Sequence, residues 1–174
     1  MMMFRSLTLA AAAAALSACQ AETQPSQNAA PPATAAATAQ PATAAVSGLP
    51  LIPLEIRSGG KVHTFTVEVA ATEDEQAYGL MNRTQLGPNE GMIFPMKPPR
   101  PASFWMKNTL IPLDMLFIRA DGSIARIAAN TVPESLEPVG VSEPVAAVLE
   151  IPGGRAAQLG ITEAARASWR GGPR

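Results

Sequence analysis

The longest apolar stretch that the chain offers a sheet runs from Leu110 to Arg119. In a strand, Leu113, Met115 and Phe117 point to one face, and Asp114, Leu116 and Ile118 to the other. Apolar residues on both faces mark a covered, central strand. Pro112 lacks a ladder donor and so belongs at its entrance. Ser103–Met106 reads as a short strand before it, with Lys107-Asn108-Thr109 as the polar bend between them. Asp121-Gly122 turns the chain into Ser123–Ala129, completing a hairpin.

The same alternation organises the segments on either side. Leu51–Arg57 and Val62–Val69 flank Ser58-Gly59-Gly60, a hairpin signal, and Phe65, Val67 and Val69 share a face with His63. Thr72-Glu73-Asp74-Glu75 is a capping box and predicts a helix through Met81, with Ala77, Tyr78 and Met81 on the side docked to the sheet. Asn82–Glu90 reads as a polar loop, Gly91–Phe94 as a short strand closed by Pro95, and Met96–Pro101 as a stiff loop. Asn130–Ser142 is irregular. Val145–Ile151 is the last clear strand, with Glu150 beside Val148 on its second side. Arg155–Leu159 makes a helical turn stopped by Gly160. Thr162–Trp169 reads as helical or frayed, with Trp169 packed back on the domain. The expected fold is β-rich α+β, one domain over residues 48–174 with one or two short helices.

Before residue 48 the pattern changes twice. Arg5, the apolar run Leu7–Leu16 and Leu16-Ser17-Ala18-Cys19 form a signal segment over residues 1–18. The last four residues resemble the lipobox of bacterial lipoproteins, which implies cleavage before Cys19 and a lipid on its thiol. Cys19 is the only Cys in the chain, so lipidation leaves no intramolecular disulfide. Gln20, where the resemblance would place Asp for inner-membrane retention, points to the outer membrane with the domain facing the periplasm. Residues 19–47 are Ala, Pro, Thr and Gln, interrupted by Pro25, Pro31, Pro32 and Pro41. Such a segment cannot build a core and reads as a tether spanning roughly 80 to 90 Å when extended. The membrane is then a partner through the anchor.

Charge narrows the remaining partners. The chain carries 13 Lys and Arg against 14 Asp and Glu, a net charge of −1, with no basic run. That excludes nucleic acid, whose binders concentrate Lys and Arg, and leaves a small molecule or an envelope protein.

Asp114 is the most informative oddity, since a carboxylate on an apolar face must be paired, hydrogen-bonded or protonated. Lys107, Asn108, Arg83 or nearby backbone donors could satisfy it. It is either an internal clip or a ligand-facing group. Trp105 is either the central core aromatic or, with Phe104 and Tyr78, part of a shallow groove in which Lys107, Asn108 and Asp114 make polar contacts.

GLMNRTQLGPNEGMIF and PASFWMKNTLIPLDMLFI are similar to the signature of the prokaryotic family called domain of unknown function 192. The similarity extends from about Leu54 to Ile161. It implies a compact, barrel-like sheet and frequent export, and brings no activity with it. Its motif positions include Arg83, Glu90, Trp105, Lys107, Asn108 and Asp114, which become the candidate ligand-binding set. The family's Cys and aromatic residues near Asn130–Ser142 are replaced here by TVPESLEPVGV.

Enzyme chemistry lacks parts. With Cys19 lipidated and His63 alone, Cys-His and Ser-His-Asp arrangements are weak, and no Gly-rich phosphate loop is present. The reading that remains is a non-catalytic binding or accessory domain tethered at the envelope, and a hydrolase using Asp114 with Glu90, Lys107 or Glu134 is the alternative. Zinc lacks ligands. Cuprous ion could use Met96, Met106 and His63, although Met commonly fills core gaps. No cofactor is expected.

Overall fold

The domain begins with the expected hairpin. β1 (Leu51–Ser58) and β2 (Lys61–Val69) pair antiparallel with Ser58 opposite Lys61. Gly59 and Gly60 form the two-residue turn with φ of 55° and 77°, the left-handed backbone that such a turn requires. These elements belong to the computed structural model, which describes residues 47–173, all within the compact unit Gln40–Arg174. The signal segment, Cys19 and the tether up to residue 46 lie outside the described residues.

Helix α1 (Glu73–Tyr78) starts on the predicted capping box. Thr72 Oγ1 accepts from the Glu75 N–H, and Glu75 Oε2 accepts from the Thr72 N–H at 2.8 Å. It ends at Gly79, earlier than expected, where φ is 51° and a Cβ would stand 3.4 Å from the Phe94 ring. The turn therefore tightens under a ring, and Tyr78 faces outward instead of docking on the sheet.

Strand β3 (Glu90–Phe104) is far longer than Gly91–Phe94. It runs through Pro95 and the proline-rich stretch to Phe104. Its partner β6 (Val139–Pro152) likewise begins within the segment expected to be irregular. Their register shifts between Pro95 and Arg100 and again between Arg100 and Ala102. The prolines thus occupy a bulged section, where a missing donor is tolerated. The bend folds β3 back until Phe104 meets Phe94 edge-to-face, with ring centroids 5.1 Å apart.

Strand β4 (Leu113–Ile118) lies between β5 (Ile124–Ala128) and β6, and all six of its residues are buried. After α2 (Arg155–Leu159), stopped by Gly160 as expected, the chain forms β7 (Arg166–Trp169). The reading of Thr162–Trp169 as helical or frayed is thereby corrected. β7 pairs antiparallel with β1, and this tertiary pairing overrides the local helical preference of an Ala- and Arg-rich segment.

The sheet order is β5-β4-β6-β3-β2-β1-β7, with only the β2–β3 pair parallel. It curls into an open half-barrel. Its ends touch where Ser123, just before β5, bridges Arg166 of β7, and the Ala167 N–H donates to Gly122 O at 2.8 Å. Residues from both ends, Ile124 and Ala167 among them, share one apolar cluster with Leu54, Phe65, Leu116 and Leu149, which fills the hollow. A second cluster, including Leu80, Met92, Phe94, Met106 and Met115, lies on the outer face. β4 supplies both, Leu116 and Ile118 inside, Leu113, Met115 and Phe117 outside, as its sequence pattern requires.

The folded-back arm is tightly closed at Gly140, which opposes Ser103. A Cβ there would lie 2.3 Å from Ala102 O. Gly140→Ala is expected to part the strands and lower stability by about 1 to 3 kcal/mol. Urea unfolding would read this as a lower midpoint at unchanged slope.

Candidate functional site: a cleft over a buried acid

The bend in β3 leaves a cleft of about 420 Å3 on the outer face, between the end of α1 and the returning arm. Leu80, Phe94, Met96 and Ala102 form its apolar walls, and Phe104, Trp105, Tyr78 and Leu136 line it nearer the surface. Trp105 is 52% exposed. The expectation of a core Trp is corrected: the core position beside it belongs to Met106, and the indole stands at the cleft. Lys107 Nζ lies 5.3 Å from the Trp105 ring centroid, a cation–π contact at the rim.

Glu150 lies in the cleft wall. It stands on β6 opposite Met92 on one side and Met115 on the other, in the outer apolar face. It is 4% exposed, and no hydrogen bond or ion pair within the described residues compensates its burial. Desolvation pushes its pKa up to about 8. Around neutrality it is therefore a carboxylic acid, able to donate as well as accept a hydrogen bond. Sequence reading gave it no role. The available signal was a lone Glu within the apolar run VAAVLEI, the same kind that singled out Asp114.

Asp114 is fully enclosed. Its Oδ1 accepts from the N–H groups of Asn130 and Gly154, each at 2.8 Å, and its Oδ2 accepts from Ala156 N–H at 2.8 Å. Three backbone donors thus satisfy it, and it ties β4 to the chain leaving β5 and to the start of α2. Arg83 is engaged elsewhere, its Nη2 donating to both carboxylate oxygens of Glu68 at 2.7 and 2.8 Å. Ser47 Oγ also donates to Glu68. Glu90 is exposed and accepts from Gly87 N–H at 2.9 Å. Asn108 is a turn residue with φ of 55°, its carbonyl accepting from Asn82 N–H at 2.8 Å. Of the candidate set, Trp105 and Lys107 meet at the cleft rim; Asp114, Arg83 and Glu90 each serve a separate local contact.

The thioether candidates are core residues. Met96 and Met106 are buried in the outer cluster, and Met106 Sδ accepts from Thr131 Oγ1 at 3.2 Å. His63 shares the β2 face of Phe65 and Val67, which belongs to the inner cluster, so the three are not gathered. Its Nε2 is buried without a hydrogen-bond partner among the described residues. Among the described residues no three His, Cys, Asp or Glu side chains group as metal ligands.

Comparison with known proteins locates the chain. No curated protein matches it. A crystal structure of a protein of unknown function from Novosphingobium aromaticivorans DSM 12444 is 48% identical, with a TM-score of 0.72, covering 79% of this chain and 98% of that one. The crystal structure of a candidate transcription regulator from Sinorhizobium meliloti 1021 is 40% identical, with a TM-score of 0.69, covering 71% and 96%. The family model described as DUF192, an uncharacterized ACR, matches residues 54–169, from β1 to the end of β7 and including the whole cleft, and the chain belongs to that family.

Proposed function

We propose that this domain is a non-catalytic small-molecule-binding module, held at the outer membrane by a lipid on Cys19 and facing the periplasm. One observation carries the reading: a solitary buried carboxyl group in an apolar, aromatic-lined cleft. Burying such a group without a partner is costly, and a ligand's polar group would supply the missing bond while its apolar body fills the cleft. The lipobox-like tetrad and the proline-broken tether support the location. The net charge of −1 supports a partner other than nucleic acid. A hydrolase built on Asp114 finds less support, since both its oxygens already accept backbone N–H groups.

The test is native mass spectrometry of residues 40–174, exported and purified without refolding, beside Ser103→Trp, which adds an indole at the exposed cleft rim. A small molecule carried by the parent and lost from the variant is expected. Identical ligand-free masses, with no shift of cleft resonances in an NMR fragment screen, would count against a binding role.

A further inference from the structure

We infer that the occupant of this cleft is an organic anion, with an aromatic or aliphatic body for the Leu80–Phe94–Phe104 wall and one carboxylate or sulfonate head attracted by Arg100. The inference rests on the cleft being a binding site and adds the charge of what it takes. Arg100 lines the cleft at the bend of β3 and forms no ion pair among the described residues. Lys107 adds a second positive charge at the rim, against Trp105. Among the described residues Glu150 is the only carboxyl group in the cleft wall, and burial keeps it protonated up to about pH 8. At neutral pH the lining therefore carries a guanidinium with no anion to balance it, although the chain as a whole is slightly acidic.

An organic cation would suit aromatic rings, but the Lys107 ammonium already occupies the neighbourhood of the Trp105 ring, and both it and Arg100 would repel the newcomer. An anion meets the opposite field. A guanidinium binds carboxylate or sulfonate oxygens through strong charge-assisted hydrogen bonds. The neutral Glu150 acid adds a donor that an ionised Glu would lack.

Fluorescence of anilinonaphthalene sulfonate, an aromatic anion, tests this on residues 40–174, with thioflavin T as the aromatic cation for comparison. The sulfonate is expected to bind at pH 7 and to bind at least about tenfold more weakly to Arg100→Gln, an exposed position whose replacement leaves the core untouched. Raising the pH from 7 to 9.5 should weaken binding severalfold in the parent, as Glu150 ionises, and leave Glu150→Gln unchanged. Sulfonate binding indifferent to Arg100→Gln overturns the inference. So does thioflavin T binding more tightly than the sulfonate and gaining affinity as pH rises; if Ser103→Trp abolishes that binding, the cleft reading survives with the opposite charge. Dye binding unaffected by Ser103→Trp removes both.

Discussion

Asp114→Ala is expected to lower the unfolding free energy by at least about 4 kcal/mol, enough to leave much of the chain unfolded at physiological temperature. The carboxylate holds three backbone N–H groups at 2.8 Å in a site without water access of its own. Each abandoned donor costs about 1 to 3 kcal/mol, toward the upper figure for the buried Ala156 N–H and the lower for the part-buried Asn130 and Gly154 N–H groups. Asp114→Asn should be intermediate, because its amide oxygen can still accept while its NH2 group faces an N–H. Urea unfolding gives the measurement. Dye binding by whatever fraction remains folded should be unchanged, since Asp114 does not line the cleft. An Asp114→Asn protein of parental stability with altered ligand affinity would refute the structural role.

Glu150 should make the domain less stable as pH rises from about 5 to 8. Its folded pKa of about 8 lies above the ordinary value of 4.5, so across that interval the folded state holds a proton that the unfolded chain has released. Stability then falls with pH, by about 1.4 kcal/mol per unit at full effect and by something on the order of 5 kcal/mol in total. Below the lower value both states are protonated and above the higher both are ionised, so the slope vanishes at each end. Glu75, Asp121 and Glu143 act in the opposite sense. Hydrogen bonds hold their pKa values down, so their contribution is lost only in acid, below the window in which Glu150 titrates. Glu150→Gln should flatten the profile between pH 5 and 8 and be the more stable protein at pH 8. A parent whose urea midpoint does not change over this range would show that the carboxyl finds compensation on burial.

What could be read from the sequence follows from what each residue's role depends on. Ser58-Gly59-Gly60, the Thr72 capping box and the two-faced pattern of β4 are set by neighbours in sequence, and each recurs in the fold. The C-terminal strand did not announce itself, because Arg166–Trp169 is extended only through pairing with β1, more than a hundred residues earlier. Prolines concealed β3. They forbid an ordinary ladder, and the bulged register that admits them depends on β6. The same bend places Trp105 outside, a result of three-dimensional folding that no local pattern encodes. Asp114 was recognisable as anomalous, but its partners Gly154 and Ala156 are contributed by distant backbone, which carries no side-chain signature.

The contact between Ser123 and Arg166 also bears on how the protein behaves in a crowded compartment. An open sheet presents two outer strands whose unused N–H and C=O groups invite pairing with another chain. Here the curl turns those two outer strands, β5 and β7, toward each other, so that part of each liability is hidden by the other. β7 additionally covers the edge of β1, a strand of eight residues that would otherwise lie bare. The last short strand thus does two things at once: Ala167 and Trp169 pack in or against the inner cluster, and its backbone shields an edge that neighbouring molecules could otherwise stack upon.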